Sequence, residues 1–138
     1  MSEAKQHHEA VRWLRQAQDD LKACEVLRDG GMRAQAGFYA QQAAEKAVKA
    51  VEYAADMDPW GHSITLLLQK LPDAHPLRGL RDQALLLDKL YIPTRYPDAI
   101  PDLIPAEAFT DDEIDRAHSA AERIVAAAAH ALSEPPGS

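Results

Sequence analysis

Apolar residues recur along the chain at the three- and four-residue spacing that gathers them on one side of a helix. Val11, Leu14, Ala17, Leu21 and Cys24 form the first such stripe and predict a helix over about His8 to Arg28. Asp29, Gly30 and Gly31 follow at once, and glycine there supplies the left-handed turn that closes a helix. A second helix is expected over about Arg33 to Ala55, with Phe38, Tyr39, Ala43, Ala47, Val48 and Val51 on its apolar side. That side is mostly alanine, which lets a neighbouring helix approach closely. Gln41, Gln42, Glu45, Lys46, Lys49 and Glu52 fall between these positions and read as its polar side.

A shorter helix should start near Ser63, present Ile64, Leu67, Leu68 and Leu71, and stop at Pro72. Leu77, Leu80, Ala84, Leu87 and Tyr91 predict a further helix over about Leu77 to Leu90. From Ile92 to Phe109, Pro93, Pro97, Pro101 and Pro105 recur every four residues. Each would remove a hydrogen bond from a helical turn, so a long loop without helix is expected. Loops beyond ~12–15 residues in compact domains are usually functional or disordered, which makes this segment the place to seek a site. Thr110 and Glu113 have the spacing of a capping box and open a last helix that runs to about Leu132, with Ile114, Ala117, Ala121, Ile124, Val125 and Ala128 facing inward. Residues 133–138 read as a disordered tail. The pattern predicts one all-α domain with its core over about residues 9–132, an antiparallel up-and-down bundle of four to five helices with no internal repeat.

Composition agrees: apolar residues are 46% of the chain and aromatic ones only 6%. A chain of 138 residues can bury one core without disulfides or metal. The single cysteine, Cys24, lies on an apolar stripe and reads as a buried, inert thiol. No apolar segment follows a basic start, and no apolar run approaches the ~18 residues needed to cross a bilayer, so a cytoplasmic protein with no membrane contact is expected. The net charge of −7 is local in origin. Seven acidic residues and no Lys or Arg lie between Asp98 and Asp115, and the remainder balances at 15 of each sign. A phosphate-bearing partner therefore remains open elsewhere on the surface, although a broad basic footprint is missing.

No phosphate-binding Gly loop, CxxC pair or HExxH spacing occurs, which argues against an ATPase and against a dedicated zinc site; neither metal nor cofactor is expected. His7 and His8 are adjacent, point to different sides of a helix and read as solvated. His62 follows Gly61 at a helix entry, where it either faces a cleft or supports the cap. Lys46 and Lys49, three apart, either meet a phosphate or pair with Glu45 and Glu52 on a solvated face. Gln41 and Gln42 either bond a base or lie at a helix interface. The densest chemistry is in Tyr91 to Asp98 (YIPTRYPD), with two phenols, a guanidinium and two prolines. Arg95 could hold a phosphate bidentately while Tyr91 or Tyr96 stacks a base. The alternative is a structural corner in which Arg95 pairs with Asp98 or a carbonyl.

Phe38 to Ala50 (FYAQQAAEKAVKA), then Gly61 to Ser63 (GHS), then Leu87 to Asp98 (LDKLYIPTRYPD) resemble, in order, the signatures of the HEPN family. The resemblance covers roughly Glu9 to Leu132. It implies an antiparallel helical bundle similar to the substrate-binding domain of kanamycin nucleotidyltransferase, assembled as a homodimer. It also implies a partner, because stand-alone prokaryotic members are typically encoded beside a minimal nucleotidyltransferase, many such pairs behaving as toxin and antitoxin. Ribonuclease members carry an Arg, four to six residues and a His, presented from both subunits to cleave RNA without metal. Arg95 sits where that Arg is sought, but Ile100, Pro101 and Asp102 follow and the His is absent. Arg123 and His130 have the spacing but lie near the end of the last helix. The expectation is a binding or substrate-positioning module for nucleotide or RNA, using Arg95, Tyr91, Tyr96, Lys46 and Lys49 beside a nucleotidyltransferase. The alternatives are a ribonuclease using Arg123 with His130, or Arg95 with a distant His62, and a purely structural dimeric protein.

Overall fold

Alanine explains how the three long helices meet. Ala36, Ala40, Ala43, Ala44 and Ala47 of the second helix are fully buried, as are Ala10 and Ala17 of the first and Ala117, Ala121 and Ala128 of the last. The computed structural model describes residues 2–133. Its helices are α1 (Glu3–Asp29), α2 (Arg33–Ala54), α3 (Ile64–Gln69), α4 (Arg81–Asp88), α5 (Pro105–Ala108) and α6 (Asp111–Ser133), and the described residues contain no strand. The chain is all-α, as its periodicity predicts. Helix α2 is central: it packs on α1 and α6 along its length and on α3, α4 and α5 at one side. Ile64, Leu67, Leu77, Leu87, Ile114 and Ile124 fill the remaining core.

Most boundaries follow local chemistry. Gly31, at φ +78°, makes the turn after α1, and Met32 N–H donates back to the Leu27 carbonyl at 2.8 Å. Glu113 N–H donates to Thr110 Oγ1 at 3.1 Å while Thr110 N–H donates to Glu113 Oε1 at 3.0 Å, completing the expected capping box of α6. Arg78 Nη1 donates to the Gln69 carbonyl at 2.8 Å and so closes α3.

Four expectations need correction. Helix α1 begins at Glu3 rather than His8, capped by Ser2, whose hydroxyl accepts from Lys5 N–H; its first two turns are largely exposed and carry no apolar stripe to announce them. The helix expected over 77–90 is divided: Pro76–Leu80 is a 3₁₀ turn, capped by His75 and holding Pro76 in its first turn, and α4 starts only at Arg81. The Pro-rich segment is not free of helix, since Pro97 opens a 3₁₀ turn and Pro105 opens α5. A first-turn proline lacks only an N–H that has no partner there anyway. With α5 the described residues hold six helices, one more than the upper expectation. Ser133 belongs to α6, and the rest of the expected tail, 134–138, lies outside the described residues.

Gly37 lets the Pro-rich segment and α6 close on α2. A Cβ there would stand 3.2 Å from both Ile114 Cδ1 and Thr94 Cγ2. Thr94 is buried, with its hydroxyl donating to the Leu90 carbonyl. Its neighbour Arg95 is thereby seated over the start of α2.

Candidate functional site

The polar side of α2 is not a solvated face. Gln41, Glu45, Lys49 and Glu52 are all buried: His62, beyond α2, meets Gln41 and Glu45, while Lys49 lies over Trp13 of α1. Lys49 Nζ pairs with Glu45 Oε2 at 3.3 Å. Gln41 Nε2 donates to Glu45 Oε1 at 3.2 Å and to the His62 carbonyl at 3.3 Å. Glu45 in turn receives His62 Nδ1 at 3.3 Å. A carboxylate only accepts, so this contact is made by Nδ1–H, and Nε2 belongs to an imidazole whose side chain is 61% exposed.

His62 is placed by α4. Asp88 accepts from Ser63 Oγ (3.1 Å), Ile64 N–H (2.7 Å) and Thr65 N–H (3.0 Å), so one carboxylate anchors the N-terminus of α3 to the end of α4. Three residues after Asp88, the Tyr91 ring meets the imidazole at 5.0 Å between centroids and 18° between planes. Arg95 lies over the same ring at 4.2 Å, with Tyr96 at 5.0 Å and Phe38 at 5.3 Å. Its Nε donates to the Tyr91 carbonyl at 3.0 Å. Among the described residues Arg95 has no carboxylate partner; the expected alternative, a carbonyl contact, holds one edge of the guanidinium and leaves its charge uncompensated.

The structure therefore joins Lys49, Glu45, His62, Tyr91, Arg95 and Tyr96 into one continuous cluster. The Tyr91 ring holds both an imidazole and a guanidinium, whereas Tyr96 has only the guanidinium at 5.0 Å and is about half exposed. Lys46 goes elsewhere: its Nζ pairs with the buried Asp20 of α1 at 2.6 Å. Arg123 lines a groove with Asp82, Gln83 and Leu86 that contains no histidine, and His130 is exposed in the last turns of α6. Glu45 and Asp88 are the residues that sequence reasoning passed over as functional. Both stand inside the motifs quoted for the family, which was the available signal. Burial pushes the Cys24 thiol up to about 11, in keeping with an inert cysteine.

The family model for the HEPN domain matches residues 10–131. The chain belongs to the HEPN family. Three solved structures support the same placement of a HEPN fold on this sequence. A Thermus thermophilus protein is 40% identical with a TM-score of 0.85, covering 89% of this chain and 98% of its own. An archaeal HEPN homologue is 33% identical with a TM-score of 0.77, covering 91% and 98%. A HEPN domain protein from Thermotoga maritima is 32% identical with a TM-score of 0.71, covering 90% and 99%. No curated protein matches the chain. Among the described residues of this HEPN chain, no helix is long and apolar enough to cross a membrane.

Proposed function

We propose that the chain is a HEPN module that binds nucleotide or RNA phosphate at the Arg95 cluster, dimerises, and positions substrate for a minimal nucleotidyltransferase partner in a toxin–antitoxin-like pair. The observation that carries the reading is Arg95 itself. Its guanidinium lies within 4.2–5.3 Å of the centroids of three rings and is held by the Tyr91 carbonyl, with no carboxylate partner among the described residues. A planar cation so fixed has lost its rotamer freedom before a ligand arrives, which favours bidentate capture of phosphate. Tyr96 adds an aromatic surface for a base. Family membership supports the nucleotidyltransferase pairing and the homodimer.

The test is titration of the folded protein with a mononucleotide and with short single-stranded RNA. Arg95→Ala should weaken both by about 10-fold or more, the loss of one charge-assisted contact. Arg95→Lys should recover little, because an ammonium cannot reproduce the planar fork. Unchanged affinity in both variants would remove the site.

A second reading, a metal-independent ribonuclease, gains from the same geometry. His62 and Arg95, far apart in sequence, share the Tyr91 ring, and Glu45 accepts from the imidazole Nδ1–H. Such a pair has the parts for proton transfer and oxyanion stabilisation. RNA cleavage in the presence of chelator, lost in His62→Ala but kept in His130→Ala, would establish it over both the binding module and the Arg123–His130 pair.

A further inference from the structure

His118 and Glu122 are four apart on α6 and so share one face, which α1 meets through Glu25. Each of the three offers one ligand atom, and these atoms all lie within 4.8 Å of one another. His118 Nε2 and Glu25 Oε1 are already 2.9 Å apart. We propose that Glu25, His118 and Glu122 form a binding site for a divalent transition-metal ion of the zinc class on the seam between α1 and α6.

The geometry asks little of the protein. A tetrahedral ion bound at about 2.0–2.2 Å holds its ligand atoms roughly 3.3–3.6 Å apart, so small side-chain rotations close the set around it. His118 is buried in the helix seam, which fixes the imidazole before an ion arrives. Glu122 is exposed and can swing to complete the set. One imidazole with two carboxylates favours zinc, cobalt or nickel over magnesium and calcium, which prefer oxygen alone. The two carboxylates offset the ion's double charge, and a fourth position remains for water. The three residues come from two helices distant in sequence, and an ion taking His118 Nε2 displaces the proton that this nitrogen shares with Glu25, shifting the imidazole to its Nδ1–H tautomer and releasing one proton to solvent if the ring was charged. No residue of this set belongs to the Arg95 cluster, so the two sites stand or fall separately.

The test is calorimetric titration of the full chain with zinc, with the melting temperature followed in parallel and cobalt used as a visible-absorbance probe. Zinc should bind one to one and raise Tm, while magnesium should not. Glu122→Gln should leave the metal-free Tm near wild type and weaken zinc by at least about 10-fold, the scale on which even residues bonded to metal ligands act. Glu25→Gln should weaken zinc similarly. Because the exposed pair His7 and His8 can also take transition metals, a His7→Ala, His8→Ala double variant should keep the site. No stoichiometric binding, wild-type affinity in both glutamine variants, or loss of binding in the double alanine variant would each overturn the proposal.

Discussion

Glu52 is fully buried, and among the described residues neither of its carboxylate oxygens has a hydrogen-bond partner. Desolvation pushes its pKa from 4.5 up to about 7, against the opposing charges of Lys70 and Lys49. The folded chain thus holds this proton more tightly than the unfolded one between about pH 4.5 and 7. The stability this contributes is fully present below pH 4.5 and is lost as pH rises through 7. Glu52→Gln should therefore match the wild type in Tm near pH 4 and exceed it at pH 8, by on the order of 1–3 kcal/mol in chemical denaturation. Superimposable pH profiles would refute the assignment. Glu52, with Gln41 and Glu45, reads in sequence as an exposed polar position because only its own helix is visible there. What buries these residues arrives from other segments of the chain, and spacing within α2 carries no trace of it.

Among the elements, capping signals within one turn were legible and those between helices were not. Thr110 and Glu113 stand three apart and announce α6. Ser63 caps α3 by accepting from Leu66 N–H, but the Ile64 and Thr65 amides are held by Asp88, 24 residues beyond Ile64, and nothing near Ser63 betrays that second grip. The proline rhythm misled for a related reason: it forbids helix interiors, yet Pro105 occupies a first turn, where the objection lapses. Asp88→Ala should cost about 1–3 kcal/mol, for two stranded amides. It should also weaken nucleotide binding, since His62 immediately precedes the helix start that Asp88 holds. Thermal melts and ligand titration of this variant check both. Lost stability with unchanged affinity would show that α3 docking and the Arg95 cluster are independent.

Across the whole molecule, the charge pattern limits how nucleic acid could be held. Fold class, helix number to within one short turn, and the Arg95 segment were all readable, because periodicity, capping and unusual composition are local properties. The partition of cations was readable only in part: Lys49 pairs with Glu45 as one reading had it, but Lys46 is held by Asp20 of α1, so two of the expected phosphate contacts are already compensated within the fold. Single-stranded RNA binding should accordingly show a shallow salt dependence, with a log–log slope of about −1 to −2, corresponding to only one to three phosphates neutralised. A slope several times steeper, measured between low and physiological salt, would point to a basic surface other than this one.

The shared carboxylate at Asp88 also sets the order in which the fold lets go. The Ile64 and Thr65 amides belong to α3 but are gripped from α4, so their hydrogen exchange should keep pace with the opening of α4 rather than with fraying of α3 alone. The edge made by these two helices would then detach as one unit while α1, α2 and α6 remain assembled. Binding competence would have a lifetime of its own, shorter than that of the fold.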